Sequence, residues 1–244
     1  MSTYLNGHIY HMVHIGNLCS IFKQQSLLPK NTLKLRGIDH SSIANEAVQH
    51  LRDRIRVQVP LDKQSYNLHS YVPFYFTPST PMFSAVRSKV IIEQIVFLEV
   101  SRQIMNNKGV IFTDGNASCQ QLSKKGKEIV LIIPASSHSP CVRQYIPDGP
   151  HGTSESVSNF YSDIACLKKL NWRSIYGGYT GNGPDERRRV RCAEVLIPNA
   201  VPTSLIKCIG VQNTEIAQKV KSLFAQNNLK AAIPLLTIHP DFYS

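Results

Sequence analysis

An α+β fold is the expectation for this chain, and three observations lead to it. Short β-branched or aromatic segments and helix-spaced apolar segments follow one another in no regular order, which argues against a doubly wound α/β sheet. No Gly-x-Gly-x-x-Gly run follows a strand and no Walker A sequence is present, so neither a Rossmann nor a P-loop nucleotide site is supported. The 244 residues are 42% hydrophobic and 18% charged, enough to bury one large core, and glycine and proline are not in excess. One domain over residues 1–244 is expected, with an inserted loop region at about 118–156.

Ile9-Tyr10-His11 is a short strand entering the core. Ile15, Leu18, Cys19 and Phe22 then fall at helical spacing, so a helix starts near His14 and stops at Leu27-Leu28-Pro29. A second helix is predicted over residues 43–54, with Ser41 or Ser42 as N-cap and Ala44, Val48 and Leu51 as its apolar face. Residues 71–76 form a strand reached through a polar loop after Val59-Pro60, and residues 82–86 a short helix. Residues 90–100 hold only three polar side chains, Glu93, Gln94 and Glu99, a pattern compatible with one strand, two strands and a turn, or a buried helix. Val110-Ile111-Phe112 is a short strand closed by the turn signal Asp114-Gly115.

From 118 to 156 the composition changes. Lys124-Lys125-Gly126-Lys127 precedes one apolar run, and the rest is rich in Ser, Pro, His and Gly, as expected of a hairpin followed by a mobile loop. Helical spacing returns over residues 160–170, with Trp172 and Ile175 closing that helix on the core. A glycine-rich loop over 177–185 is followed by strands at 194–197 and 206–211. A helix over 214–224, with Ile216, Val220 and Leu223 inward, precedes a last strand at 231–238.

The formal charge is +11, from 27 Lys and Arg against 16 Asp and Glu, which favours polyanionic partners: nucleic acid first, an acidic membrane surface second. The six cysteines include no C-x-x-C pair and none at zinc-ligand spacing with histidine, so reduced thiols are expected. No signal peptide and no apolar run of membrane-spanning length is visible, so a soluble cytoplasmic protein with no membrane partner is expected.

Four places carry side chains suited to chemistry. His11 and His14 flank a strand-to-helix junction and lack a third ligand, so no metal is expected there. Arg52, Arg54 and Arg56 end a helix, where arginine keeps its charge and can grip a pyrophosphate with a bidentate fork. In the aromatic strand, Phe74 and Phe76 suit core packing, while Tyr75 points to the opposite face and is placed to stack on a ring. Glu194 opens a β-branched strand behind a basic approach, Arg187-Arg188-Arg189-Val190-Arg191.

Taken in order, Ile9-Tyr10-His11-Met12-Val13-His14-Ile15-Gly16-Asn17-Leu18, Tyr71-Val72-Pro73-Phe74-Tyr75-Phe76-Thr77-Pro78 and Cys192-Ala193-Glu194-Val195-Leu196-Ile197 resemble the DarT family, toxins that move ADP-ribose from NAD onto a base of single-stranded DNA. The resemblance runs from about Ile9 to the C-terminus, outside the 118–156 segment. It implies a split, mainly antiparallel sheet with flanking helices, NAD as co-substrate, no metal, single-stranded DNA as acceptor and a DarG-like macrodomain antitoxin as partner. His11 would bind the adenosine ribose, with valine at 13 where the family carries a hydroxyl residue, and Met12, Val13, Ser20, Leu28, Arg54 and Tyr75 would line the NAD pocket.

Counting back from Val59-Pro60, Arg54 matches the family's catalytic arginine, with Arg52 or Arg56 as the alternatives if the register slips. That arginine is also implicated in handling the base proton that must leave. Glu194 would be the catalytic glutamate. Breaking the nicotinamide–ribose bond builds positive charge on the anomeric carbon, and a carboxylate holding the ribose hydroxyls stabilises it. Met82 and Asn116 would face the target base, with asparagine in place of the family's histidine, and Arg187, Arg188, Arg189 and Arg191 would meet DNA phosphates. Tyr176 and Tyr179 lie in the same loop and suit base stacking. Two further readings share these residues: the same fold acting on RNA or protein, and a non-catalytic nucleic-acid-binding module.

Overall fold

A computed structural model describes residues 3–60, 62, 64–87, 90–120, 129–134, 142–145, 157–177 and 185–243. In chain order the strands are β1 (His8–His14), β2 (Ser26–Leu27), β3 (Ile55–Gln58), β4 (Tyr66–Asn67), β5 (Tyr71–Tyr75), β6 (Ile95–Ser101) and β7 (Ile111–Thr113). They continue as β8 (Ile129–Ile132), β9 (Val142–Tyr145), β10 (Phe160–Tyr161), β11 (Glu194–Pro198), β12 (Val201–Pro202), β13 (Ile206–Val211) and β14 (Leu235–Ile238). The α-helices are α1 (Leu18–Lys23), α2 (Lys30–Leu35), α3 (Glu46–Asp53), α4 (Pro81–Arg87), α5 (Trp172–Tyr176), α6 (Asp185–Arg191) and α7 (Thr214–Gln226).

Eight strands form the main sheet in the order β10-β7-β11-β5-β1-β6-β13-β14, and β3, β4, β8 and β9 form a smaller one. Every pairing in the main sheet is antiparallel except β13 with β14. The α+β expectation, with a mainly antiparallel sheet, therefore holds.

The sheet is split at its centre. β1 pairs with β6 along its whole length, from His8↔Ser101 to His14↔Ile95, yet it meets β5 only at Tyr10↔Tyr75. Beyond that point β1 and β5 part, and the gap becomes a cleft. Residues directly opposite in antiparallel strands share a face of the sheet. The registers Glu194↔Tyr75, Tyr10↔Tyr75 and Tyr10↔Glu99 therefore set these four side chains in one row.

The opposite face carries the main core, where Ile9, Val13, Phe74, Val96, Leu98 and Val195 pack with Leu18 and Phe22 of α1 and Val220 and Phe224 of α7. The face bearing Glu194 is covered in two places. The small sheet closes one end, packing Ile55, Val57 and Leu131 on Ile111, Leu196 and Phe160. At the other end α4 and the C-terminal residues pack Phe83, Val86, Phe242 and Tyr243 on Ile95 and Phe97. The space between these two covers is where the site forms.

Several local expectations change. Asn45 caps α3 by accepting from the Ala47 N–H, whereas Ser42 only bonds Ala44 in the preceding turn. Residues 160–170 are not an α-helix: Phe160 and Tyr161 pair with β7, and Asp163 caps a 3-10 segment over Ile164–Lys169. Sheet pairing there outweighs the helical spacing. Residues 90–100 resolve as one strand, β6, preceded by a short 3-10 turn. The 118–156 region contributes a hairpin, β8–β9, whose first strand runs parallel to β3, so it belongs to the small sheet. The Lys124–Lys127 run, residues 146–156 and Tyr179 lie outside the described residues. No helix among the described residues is long and apolar enough to cross a membrane.

Candidate active site

Glu194 is the first residue of β11 and is 1% exposed. Its carboxylate is held from two sides. Oε2 accepts from Arg52 Nη1 at 2.9 Å, and Oε1 accepts from the Ala117 N–H at 2.9 Å. The Glu194 N–H in turn donates to Thr113 Oγ1 at 3.0 Å, and that hydroxyl donates to the Gly115 carbonyl at 2.6 Å. The turn after β7 thus serves as a cradle for this carboxylate. Each carboxylate oxygen keeps lone-pair capacity beyond the bond it already accepts.

Arg52 sits in the last turn of α3 and is 6% exposed. Its Nη1 is spent on Glu194, while Nη2 is buried with no hydrogen-bond partner among the described residues. Arg54 is placed differently. It is the C-cap of α3, and its carbonyl accepts from the Ile129 N–H at 2.8 Å, which ties the helix to β8. Arg56 points into the small sheet and donates to the Ser65 side chain and carbonyl. Of the three arginines offered by the sequence, the structure places Arg52 against Glu194. The reason is helical phase: Val48 and Arg52, four apart, share the face of α3 that lines the cleft.

The cleft lies against the split between β1 and β5. Its walls include His11, Met12, Val13, Ser20, Leu28, Arg52, Tyr75 and Met82. Six of these, all but Arg52 and Met82, were expected from sequence to bind NAD, and Met82 was expected near the acceptor. His11 Nδ1 donates to the Pro73 carbonyl at 2.7 Å, bridging the gap between the parted strands. A carbonyl can only accept, so Nδ1 carries the proton and Nε2 is the acceptor nitrogen. Burial lowers the His11 pKa, only partly offset by the Pro73 bond, so the ring is neutral near pH 7. Burial also raises the Tyr75 pKa, reinforced by the nearby Glu194 charge, which keeps the hydroxyl un-ionised.

The acceptor-side residues divide. Asn116 does not line the cleft: its side chain accepts from the Ser118 N–H, and its backbone N–H donates to the Arg189 carbonyl. It builds the turn that aims Ala117 at Glu194. Arg189 pairs with Asp114 at 3.1 Å and Glu186 at 2.6 Å and donates to Ser158. Arg191 is 4% exposed and donates to Ser79 and to the Ile175 carbonyl. Both are internal ties, so neither is placed to meet a phosphate. Arg187 and Arg188 are exposed on α6. Thr80 caps α4 by accepting from the Phe83 N–H at 3.1 Å.

The sequence reading missed a supporting group. Buried His69 lines the cleft, and its Nε2 lies 3.1 Å from Asp53 Oδ1 and 3.2 Å from the Gln49 carbonyl. It therefore braces the turn of α3 that carries Arg52. Burial lowers its pKa to about 4, with Lys30 and Arg52 adding to the shift. A histidine held neutral by the fold contributes stability that is complete above its unfolded value near 6.5 and is lost as pH falls through that value toward 4. The expected loss is at most about 3 kcal/mol between pH 7 and pH 4. Thermal unfolding at stepped pH checks it: the wild-type melting temperature should drop across that window more steeply than that of His69→Gln.

Among the described residues no three His, Cys, Asp or Glu side chains are grouped to hold a metal ion. None of Cys19, Cys119, Cys166, Cys192 and Cys208 forms a disulfide.

The arrangement, a buried glutamate paired with arginine beside a split sheet, meets its relatives at this point. A family model described as ssDNA thymidine ADP-ribosyltransferase, DarT, matches residues 10–130 and 124–244. The chain belongs to the DarT family. A DNA ADP-ribosyl transferase of Thermus sp. (strain 2.9) is 28% identical over 242 residues, covering 96% of this chain and 95% of that protein. The structure of Thermus sp. 2.9 DarT in complex with ADP-ribosylated ssDNA superposes with a TM-score of 0.72 at 26% identity, covering 98% and 97% of the two chains. The same protein in complex with NAD+ gives a TM-score of 0.67 at 26% identity, covering 98% of each. As a DarT, the chain is an NAD-dependent DNA ADP-ribosyltransferase with the ADP-ribosyltransferase fold.

Proposed function

We propose that this DarT transfers ADP-ribose to thymine in single-stranded DNA, with Glu194 and Arg52 as the catalytic pair. One observation carries the residue assignment. Arg52 Nη2 is a buried charged donor without a partner among the described residues, on a side chain that lines the cleft and holds the Glu194 carboxylate through Nη1. Leaving such a donor unmet costs about 1–3 kcal/mol, which an acceptor atom of a bound substrate would recover.

The roles follow from charge. The nicotinamide–ribose bond breaks with its electron pair going to nicotinamide, which leaves neutral, so no strong general acid is needed. Positive charge grows on the anomeric carbon, and the fixed Glu194 carboxylate stabilises it in a water-poor site. Thymine has a single N–H that is free of the sugar. That nitrogen bonds to the anomeric carbon and gives up its proton to solvent, and the Arg52 cation favours the anionic base. His11 Nε2 would accept from the adenosine ribose, with Met12, Val13, Ser20, Leu28 and Tyr75 enclosing the rest of NAD and Met82 beside the acceptor. The enzyme would act in the cytoplasm, where its DNA lies, and a DarG-like antitoxin would reverse the mark. Both expectations rest on family membership.

Mass spectrometry of single-stranded oligonucleotides of different base content, after incubation with NAD, tests the reading. One ADP-ribose should appear on thymine-containing strands alone. Adducts on thymine-free strands would overturn the acceptor. Nicotinamide release without a DNA adduct would move the acceptor to RNA or protein, and neither signal would leave a binding module.

A further inference from the structure

One edge of the main sheet is left open. β14 ends the strand order, and among the described residues it pairs only with β13, in parallel, from Cys208↔Leu235 to Val211↔Ile238. The His239 N–H donates to the Val211 carbonyl at 2.8 Å. Alternate residues of a parallel ladder face the partner strand, so Thr237 and His239 turn their backbone groups to β13. Leu236 and Ile238 turn theirs outward, and among the described residues nothing bonds them. Edge strands are usually guarded by charge, proline or a bulge. Leu235-Leu236-Thr237-Ile238 holds no charge and no proline, and Leu235 and Ile238 are 68% and 48% exposed.

A groove of about 540 Å³ lies between this strand and α7. From α7 it is lined by Gln218, Lys221, Ser222 and Ala225, one stripe at helical spacing, and from the strand side by Ile233, Pro234 and Leu236. No carboxylate lines it. Lys221 and Lys230 do, and both are exposed with no ion-pair partner among the described residues. Each observation narrows what fits. Outward N–H and C=O groups in a row call for another extended peptide backbone. The apolar lining calls for apolar side chains on it, and the two lysines call for carboxylates beside them. A nucleic acid strand lacks the matching backbone groups, and the one aromatic ring in the lining, Phe224, is fully buried and offers no base a face. A second copy of this chain would bring the same lysines and a net charge of +11 to the contact.

We infer that the open edge of β14 docks an extended, acidic-flanked apolar segment of a partner protein, which adds to the sheet as its next strand. The segment bonds the outward groups of Leu236 and Ile238, seats apolar side chains in the groove and sets carboxylates against Lys221 and Lys230. Four strands, β5, β1, β6 and β13, separate β14 from the strand that carries Glu194, so the docked segment leaves the cleft open. The surface serves attachment, and it stands whether or not the acceptor is thymine.

The test uses the full chain and a fluorescent peptide with a valine-rich centre and glutamates at both ends, read by anisotropy and by amide hydrogen exchange. The peptide should bind and slow exchange at the Leu236 and Ile238 amides. Methylating the backbone nitrogens of its centre, or replacing its glutamates by lysine, should each weaken binding about tenfold. Ile238→Pro removes an outward donor and no ladder bond, so it should weaken binding about tenfold and leave ADP-ribose transfer unchanged. Lys221→Glu combined with Lys230→Glu should reverse the preference, toward the lysine-ended peptide. If Ile238→Pro does not fold, the charge reversal and the methylated peptide decide. Absence of binding at about millimolar peptide, or binding that leaves exchange in β14 unchanged, would overturn the docking site. An oligonucleotide that protects the same amides in place of the peptide would overturn it in favour of nucleic acid. Self-association of the chain that Ile238→Pro abolishes would overturn it in favour of a second copy.

Discussion

Glu194→Gln should give a folded protein whose ADP-ribose transfer is slower by about a thousandfold, the upper range for removing one fixed group that faces transition-state charge. Glutamine matches the shape and keeps one carbonyl oxygen for either Arg52 or the Ala117 N–H. What it removes is the negative charge set against the developing oxocarbenium ion. A stability cost accompanies it, because breaking a buried ion pair strands a guanidinium, for about 3 kcal/mol. The melting temperature should therefore fall by several degrees, and rates must be compared below that transition. Initial rates from oligonucleotide mass spectrometry decide the matter. A variant within tenfold of wild type would remove Glu194 from the chemistry.

The second large effect separates two neighbouring arginines. Arg52→Ala should cut transfer by about a hundredfold or more, because it removes both the anchor of Glu194 and a buried cationic donor on the cleft wall. Arg54→Ala should change transfer by less than about tenfold, since Arg54 is not in the cleft wall and Glu194 is held by Arg52. Arg52→Lys is the informative partner. It keeps a charge but cannot hold Glu194 with one nitrogen and a substrate with another in a planar fork, so most of the loss should remain. If Arg54→Ala is the more damaged enzyme, the geometric assignment is wrong and the sequence count was right.

That pair of residues shows where sequence reading reached its limit. The spacing back from Val59-Pro60 counts along the chain, but α3 ends at Asp53, and Arg54 already belongs to its cap. Two residues along a helix is a turn of about 200°, enough to carry a side chain to the other side. The periodicity of Val48 and Arg52 is what carries Arg52, one of the sequence alternatives, to the cleft wall. The arginine run before β11 shows the same limit. Its composition announced a DNA-facing surface, yet Arg189 and Arg191 face inward to Asp114, Ser158, Ser79 and Ile175. Helical geometry distributes consecutive cations around an axis, and only some can face solvent.

By itself the sequence determined the fold class, the alternation that sends Tyr75 away from Phe74 and Phe76, and the position of Glu194 at a strand start. Those follow from local periodicity, which every short segment carries within itself. Only the tertiary structure decided which arginine meets that carboxylate, 142 residues away in sequence, and that a backbone N–H at Ala117 holds its other oxygen. It also decided that β1 and β5 part after one pair, opening the cleft. The physical reason is that these are contacts between distant segments, set by strand register and helix phase together, and no local pattern encodes the sum of the two.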